Sequence, residues 1–286
     1  MSAASILFPH LGITLKNVGQ YISIVHFEIA YYGIIIALGM LCGVSLILFR
    51  AKRSGQDEDA YFNMTILTIM IAVCGARAYY VLFSWETYRT NLLEIFNLRG
   101  GGLAIYGGVI AGGLTVFFYA KRKKLSFPLL ADTVIPGVIV GQILGRWGNF
   151  FNREAFGGYT DGLLAMALPE NAVRYAEITE EMHQHASVID GITFVQVHPT
   201  FLYESLWNVL LLCLLLWYER KKKFEGELFL LYLAGYGIGR FWIESLRTDQ
   251  LLLPGIQFPV SQMLSGILAV TAVGMMLFKR IKMQND

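Results

Sequence analysis

The sequence predicts an all-α integral membrane protein of about seven transmembrane helices. We expect its N-terminus outside the cell, its C-terminus in the cytoplasm and a small extracytoplasmic cap. The chain is 55% hydrophobic and only 15% charged, whereas a soluble domain carries about 25% charged residues. Its apolar residues gather in runs of about twenty, the length that crosses a bilayer as a helix. The net charge of +2 gives no reason to expect a nucleic-acid partner.

Seven apolar runs follow one another along the chain, and each predicts one transmembrane helix. They cover approximately residues 29–49, 64–84, 103–120, 129–147, 199–218, 228–245 and 259–278. With no internal repeat or low-complexity segment, we expect one transmembrane domain over residues 1–286.

Basic clusters follow the first, third, fifth and seventh runs, and they predict the orientation. They are Arg50, Lys52 and Arg53; Lys121 to Lys124; Arg220 to Lys223; and Lys279, Arg280 and Lys282. Lys and Arg near helix ends resist translocation, so these connections are expected in the cytoplasm. An error of one helix would place two basic loops outside.

The longest connection, residues 148–198, is then extracytoplasmic and forms the predicted cap. The cysteines, Cys42, Cys74 and Cys213, all fall inside apolar runs and have no CxxC spacing, which argues against a disulfide framework or zinc site. No Cys, His or carboxylate cluster has metal-ligand spacing. The sequence therefore implies neither a metal nor a diffusible cofactor.

Polar side chains inside apolar runs are costly, because an Arg at a helix centre costs about 2.5–3.5 kcal/mol on insertion scales. In the predicted topology they nevertheless collect in the outer half of the membrane or at its outer face. The set is Tyr31, Tyr32, Arg77, Tyr106, Arg146, Asn149, Asn152, Glu154, His198, Tyr203, Glu204, Tyr236, Arg240 and Glu244. Each alone fits an interfacial aromatic, a snorkelling arginine or a helix cap. Together they favour a polar site that opens to the outer leaflet.

The sixth predicted helix places Tyr236, Arg240 and Glu244 at i, i+4 and i+8, which is one face. A structural Arg240–Glu244 pair explains this spacing equally well. It does not explain why Arg146 ends another helix at the same depth. Several arginines at one cavity suggest an anion, and phosphate suits the guanidinium fork. At the outer leaflet of a bacterial membrane, the abundant phosphate is a phospholipid headgroup.

The stretch Gly-Arg-Trp-Gly-Asn-Phe-Phe-Asn-Arg-Glu at residues 145–154 resembles the signature of the bacterial phosphatidylglycerol–prolipoprotein diacylglyceryl transferase family. Other segments resemble this family in order and spacing, and together the matching segments lie on six of the seven predicted helices. They are residues 31–33, 75–77, 101–108, 198–204 and 236–244.

The resemblance implies a multi-pass enzyme of the bacterial cytoplasmic membrane with its active site toward the outer leaflet. The family moves the diacylglyceryl group of phosphatidylglycerol onto the lipobox cysteine thiol of a preprolipoprotein and releases glycerol phosphate. Its motifs imply that Arg146 and Arg240 bind the phosphate. They place Tyr32, Asn149, Glu154, Gly157, Tyr236 and Glu244 around the headgroup. Further substrate-binding candidates are Arg77, Gly102, Asn152, Tyr203 and Glu204.

The sequence departs from the family pattern at Tyr106, where many members carry a histidine that is a candidate general base. Tyrosine, with a pKa near 10, is a poorer base at neutral pH than histidine near 6.5. We therefore expect Tyr106 to orient the headgroup by hydrogen bonding. The base for the thiol stays open among Glu154, Glu244, His198 and Tyr106.

Three other classes of function compete with the transferase. An anion transporter or channel would use the same arginines, but the inner helix halves are apolar and offer no continuous path. An intramembrane protease would need paired aspartates or a Ser–His pair, and Asp132 is a lone acid. A membrane scaffold would not need the arginines.

Overall fold

The computed structural model describes residues 4–24, 27–98, 101–253 and 255–285. Each predicted apolar run forms a long helix, which confirms that part of the prediction. In the described part of the chain the helices are α1 (Tyr31–Arg53), α2 (Glu58–Phe83), α3 (Trp85–Tyr88), α4 (Ile105–Lys123), α5 (Phe127–Asn152), α6 (Glu180–Gln184), α7 (Thr200–Tyr218), α8 (Glu227–Glu244) and α9 (Val260–Asn285). Short 3₁₀ turns lie at Pro9–Leu11, Leu92–Phe96, Glu170–Ala172, Tyr175–Glu177 and Glu219–Lys221.

Among the residues that the structure describes, five helices are long and apolar enough to cross a membrane, as judged by length and composition. They are α1, α2, α5, α9 and the helix that starts at Thr200, whose candidate span extends to Lys221. Of the other two long helices, α4 ends in a basic turn and α8 contains Glu227, Arg240 and Glu244. The structure therefore supports a mainly helical membrane protein with five candidate spans.

The expectation of an all-α protein is wrong, because the described residues also form short strands. These are β1 (Ile6–Phe8), β2 (Ile13–Leu15), β3 (Tyr21–Ile24), β4 (Phe27–Ala30), β5 (Met166–Pro169), β6 (Ser187–Ile189) and β7 (Ile192–Val197). Five of them build an antiparallel sheet in the order β2-β1-β5-β7-β6, and β3 and β4 pair as a separate hairpin.

One strand signal was present in the sequence. Asp190 and Gly191 separate β6 from β7 and both have positive φ, at 52° and 77°, so that Ile189 pairs with Ile192. An Asp-Gly pair between alternating residues is the strongest short-range hairpin signal. Strands of three to six residues are easily overlooked beside apolar runs of about twenty.

The chain divides into two compact units, one of Met1–Gly43 with Ile135–Asp286 and the other of Val44–Val134. In the first unit the sheet packs on the ends of two helices. Phe150 of α5, Phe201 of α7 and Phe156 between them share one buried cluster with Leu168 and Val195 of the sheet. This core fixes the loop that follows α5.

In the second unit, α2 and α4 cross closely at two glycines. A Cβ built on Gly107 would lie 2.4 Å from the carbonyl oxygen of Gly75, and one on Gly75 would lie 2.3 Å from Cβ of Ala111. Small residues allow such an approach between membrane helices, where lipid gives no hydrophobic drive to association.

Candidate functional site

A buried carboxylate joins two arginines from different helices in the first unit. One oxygen of Glu204, in the first turns of α7, lies 2.6 Å from Nε of Arg146 near the end of α5. The other oxygen lies 2.5 Å from Nη1 of Arg240, late in α8. The Glu204 side chain is only 5% exposed, against 23% for Arg146 and 14% for Arg240. Three helices therefore bring both predicted phosphate-binding arginines to one carboxylate.

A second carboxylate extends this group along α8. Nη2 of Arg240 lies 2.5 Å from an oxygen of Glu244, and the same oxygen lies 4.0 Å from Nε of Arg247. Arg247 donates two hydrogen bonds to Asp249, at 2.8 and 2.6 Å. Burial raises the pKa of Asp249, but the hydrogen bonds and charge of Arg247 outweigh it, so this pKa lies below its ordinary value.

Arg247 and Asp249 were missing from the predicted site. Their signal was the spacing, because Arg247 follows Glu244 by three residues and continues its face past the end of α8. The arginines at 146, 240 and 247 are thus balanced by the carboxylates at 204, 244 and 249, as buried charges require.

This arrangement leaves donors for a ligand. A guanidinium has five N–H donors, and each contact with Glu204 uses one nitrogen of its arginine. Nη1 of Arg146 has the amide oxygen of Asn149 at 3.4 Å, and its Nη2 has no hydrogen bond to any residue that the structure describes. The site can therefore receive a further anion on guanidinium groups whose position is already fixed.

The loop after α5 carries Glu154, which Asn149 links to Arg146 through hydrogen bonds. The amides of Asn149 and Asn152 both donate to Oε1 of Glu154, at 2.9 and 3.3 Å. Its neighbours Arg153 and Ala155 have φ of 53° and 57°, a left-handed conformation that non-glycine residues rarely adopt. The guanidinium of Arg153 donates to backbone carbonyls of the N-terminal segment, which holds this turn in place.

Gly157 and His198 lie where that loop meets the chain after α8. The N–H of Gly157 donates to the carbonyl of His198 at 3.0 Å. A Cβ on Gly157 would lie 2.7 Å from the carbonyl oxygen of Leu246, so the site requires glycine. Nδ1 of His198 lies 3.2 Å from the hydroxyl of Tyr203. Burial lowers the pKa of His198 below its ordinary value, which keeps the imidazole neutral at neutral pH.

Two predicted tyrosines pack on the same helices. The ring of Tyr32 lies against Gly148, where a Cβ would come within 2.7 Å of it. Tyr236 stacks on Tyr232 with 5.5 Å between ring centroids and lines a small cavity between α7 and α8. The remaining lining residues are Glu204, Trp207, Asn208, Gly239, Arg240 and Ile243.

Residues 20–278 match the family model described as prolipoprotein diacylglyceryl transferase. The chain belongs to the prolipoprotein diacylglyceryl transferase family. This confirms the resemblance found in the sequence, and it decides among the open classes of function in favour of the transferase.

Curated relatives of this family agree over nearly the whole chain. A protein of Clostridioides difficile named phosphatidylglycerol–prolipoprotein diacylglyceryl transferase is 41% identical over 255 residues, which are 89% of this chain and 93% of that protein. One of the same name from Listeria welshimeri is 42% identical over 258 residues, which are 90% and 87% of the two chains. A third, from Clostridium botulinum strain Langeland, is 41% identical over 237 residues, or 83% and 87%.

Three of the site residues that the resemblance suggested, Arg77, Gly102 and Tyr106, lie in the second unit. Arg77 is buried, and its guanidinium donates to the backbone carbonyls of Glu94, Ile95, Asn97, Gly101 and Gly102. These bonds fasten the loop between α3 and α4 to helix α2, so the contacts of Arg77 hold a loop in place. Gly102 has φ of 72°, and a Cβ there would lie 2.6 Å from Nη1 of Arg77. Tyr106 lies in the first turn of α4 and is partly exposed.

The other predicted site residues of the transferase all lie in the first unit. Most are linked by the ion pairs and hydrogen bonds given above. Within residues 4–24, 27–98, 101–253 and 255–285, no group of three or more His, Cys, Asp or Glu side chains could hold a metal ion.

Proposed function

We propose that this chain transfers the diacylglyceryl group of phosphatidylglycerol to the thiol of the lipobox cysteine of preprolipoproteins, with release of glycerol phosphate. The observation that carries the proposal is the pairing of Arg146 and Arg240 on the buried carboxylate of Glu204. Both arginines stand at positions of the family motifs. The substrates are then phosphatidylglycerol and the lipobox signal peptides of preprolipoproteins.

The reaction forms a sulfur–carbon bond and breaks a carbon–oxygen bond. The cysteine thiolate is the competent nucleophile, and a free cysteine has a pKa of about 8.5. It attacks the glycerol carbon that bears the phosphate, and the phosphate oxygen leaves with the bonding electrons. Because this leaving group departs already charged, it needs electrostatic stabilisation more than a proton.

Arg146 and Arg240 supply that stabilisation. Fixed donors in a site that excludes water stabilise developing charge more strongly than mobile ones, since they need no reorganisation during the reaction. Glu204 contacts one nitrogen of each guanidinium, and Glu244 contacts a second nitrogen of Arg240. In this proposal the N–H groups that these carboxylates and Asn149 leave over, among them Nη2 of Arg146, face the phosphate. Glu204 and Glu244 are thus positioning residues for the clamp.

We propose that either Glu154 or His198 is the base that accepts the thiol proton. Glu244 is engaged in the ion pair with Arg240 at 2.5 Å, which makes it a poor acceptor. Glu154 is oriented by two amide donors, and the His198 imidazole is neutral and so able to accept a proton. For Tyr106, Tyr32, Asn149 and Tyr236 we propose contacts to the headgroup, as the family motifs imply.

We propose seven spans, with the N-terminus outside, the C-terminus in the cytoplasm and the active site toward the outer leaflet of the bacterial cytoplasmic membrane. The end of α5, the start of α7 and the end of α8 meet at Glu204, which fits helices that alternate in direction. Basic clusters follow the opposite end of α7 and end α9, which fits a cytoplasmic location for those ends. Residues 148–198 then form the extracytoplasmic cap of a single catalytic domain, 1–286.

A transfer assay tests the proposed reaction. Purified protein in detergent is mixed with phosphatidylglycerol and a lipobox peptide, and the peptide mass gain and glycerol phosphate release are measured. Tyr106→His and Tyr106→Phe are assayed alongside the wild type. Wild-type activity supports the reaction without a histidine at position 106, and loss in Tyr106→Phe alone assigns a role to the hydroxyl. Inactivity of all three folded proteins would contradict the proposed function.

A further inference from the structure

We propose that Arg174, in the insertion between α5 and α7, is a substrate-specificity residue that receives the phosphate of the anionic lipid headgroup at the rim of the site. This inference rests on the proposed function. Arg174 bridges two carboxylates, because its Nη1 lies 3.2 Å from Oε1 of Glu177 and its Nη2 lies 3.8 Å from Oε2 of Glu154. The insertion therefore reaches the site's own carboxylate through an arginine.

Glu177 anchors this arginine from the buried side. Its side chain is only 8% exposed, and its Oε2 atom is buried without a hydrogen-bond partner in the part of the chain that the structure describes. Burial raises the pKa of Glu177 and the charge of Asp249 adds to that effect, while Arg174 opposes both. The ordering of Arg174 is helped by the 3₁₀ turn, where the N–H of Glu177 donates to the carbonyl of Arg174 at 2.9 Å.

The outer side of Arg174 is open to a ligand. The side chain is 73% exposed although it lies beside Glu154. Its neighbour Tyr175 is 79% exposed. An exposed Arg next to an exposed Tyr suits the headgroup layer of a membrane, where amphipathic rings and cationic side chains are enriched.

The contact with Glu154 is the one that a substrate can replace. At 3.8 Å it is longer than a hydrogen bond, and an exposed ion pair of this kind contributes little. A phosphodiester offers charge-assisted and bidentate bonds to the same guanidinium. When phosphate replaces Glu154 as the partner of Arg174, the Glu154 carboxylate becomes free to accept the thiol proton or a hydrogen bond from a headgroup hydroxyl. Arg174 thus precedes Arg146 and Arg240 on the path of the headgroup.

The test is steady-state kinetics of Arg174→Gln, with Arg174→Lys and Glu177→Gln as further variants. Phosphatidylglycerol is varied in mixed micelles at saturating lipobox peptide, and inhibition by inorganic phosphate and by glycerol phosphate is measured. Arg174→Gln is expected to raise KM for the lipid about tenfold, as loss of one charge-assisted contact does. Its kcat and its KM for the peptide should stay within about twofold of the wild type. Arg174→Lys should recover part of the loss, and Glu177→Gln should raise the lipid KM in the same direction.

A matched control is Arg89→Gln, because Arg89 is 61% exposed and pairs at 2.8 Å with the exposed Glu86. It should leave both KM values unchanged. Weaker inhibition by both phosphate compounds in Arg174→Gln supports recognition of phosphate itself, and weaker inhibition by glycerol phosphate alone supports recognition of the glycerol headgroup. An unchanged lipid KM in active Arg174→Gln protein, or a fall in kcat alone, would overturn the proposal. An inactive wild type would instead contradict the proposed function.

Discussion

The carboxylate of Glu204 lies 2.6 Å from Nε of Arg146. The two residues come from different helices, and the same carboxylate also reaches Arg240. An isolated buried arginine would be costly, whereas an arginine held by a fixed carboxylate is both paired and oriented. We infer that Glu204 sets the distance between the two arginines before any substrate arrives.

Glu204→Gln should lower kcat/KM of the transfer reaction about a hundredfold, because small misplacements of binding groups cost that much. Glu204→Ala should in addition destabilise the fold by about 3–5 kcal/mol, because it leaves the arginines of a buried ion pair without their carboxylate. Transfer rates and thermal inactivation in detergent measure the two effects. Glu86→Gln, which removes a carboxylate from an exposed pair, serves as the control and should change neither. Wild-type transfer rates in Glu204→Gln would contradict the positioning role.

Gly157→Ala should reduce both stability and activity, because the new Cβ would lie 2.7 Å from a backbone oxygen that no side-chain rotation can move. Overpacking of this kind costs about 1–3 kcal/mol. The matched variant is Gly158→Ala, since a Cβ at Gly158 meets nothing within 4 Å. Thermal inactivation of the pair measures the difference. Equal midpoints for both variants would show that the close approach is not a constraint.

Gly75→Ala should destabilise the packing of α2 on α4, since the new Cβ would lie 2.3 Å from Cβ of Ala111 and 2.9 Å from the carbonyl oxygen of Gly107. We expect a loss of about 1–3 kcal/mol, measured by thermal unfolding. Gly113→Ala on α4 is the control, because its Cβ would meet nothing within 4 Å. Gly113→Ala should be as stable as the wild type. A larger loss in Gly113→Ala than in Gly75→Ala would refute the packing explanation.

His198 should make the protein less stable as the pH falls below about 6.5. Burial lowers the pKa of His198 in the folded chain below its ordinary value of 6.5, so the unfolded chain binds a proton there before the folded chain does. Stability is therefore lost as the pH falls from 6.5 through the lowered pKa. Thermal midpoints between pH 5 and pH 8 should fall less steeply in His198→Gln than in the wild type. Identical slopes in the two proteins would show that His198 does not cause this pH dependence of stability. A pH–rate profile of His198→Gln that equals that of the wild type would show that His198 is not the base.

The long helices could be predicted because each is specified locally by an apolar run of sufficient length, whereas the short α3 and α6 lie outside those runs. The pairing of Arg240 with Glu244 was also visible in the sequence as an i, i+4 spacing. The bridge from Arg146 to Glu204 was not, because a contact between α5 and α7 depends on how the helices pack. The strands of the sheet were missed for a similar reason, since β1 and β5 pair across a long separation in sequence.

Other parts of the site were missed because their signals were weak. Arg247 follows Glu244 by the i, i+3 spacing of a helix, but Arg247 and Asp249 lie past the end of α8, where that spacing is a weak signal. Arg174 lies in a polar insertion without a regular pattern. Arg77 shows the opposite case, since its place in a matching segment suggested substrate binding. Its contacts with backbone carbonyls show a loop-holding arrangement, and its contact with substrate stays a prediction.

The central claim is that Arg146 and Arg240 together clamp the departing phosphate. The most direct measurement is transfer from phosphatidylglycerol to a lipobox peptide by Arg146→Ala and Arg240→Ala, with glycerol phosphate release followed in folded, purified protein. We expect either substitution to abolish transfer, because each removes donors from the leaving group. Substantial transfer by either variant would contradict the clamp.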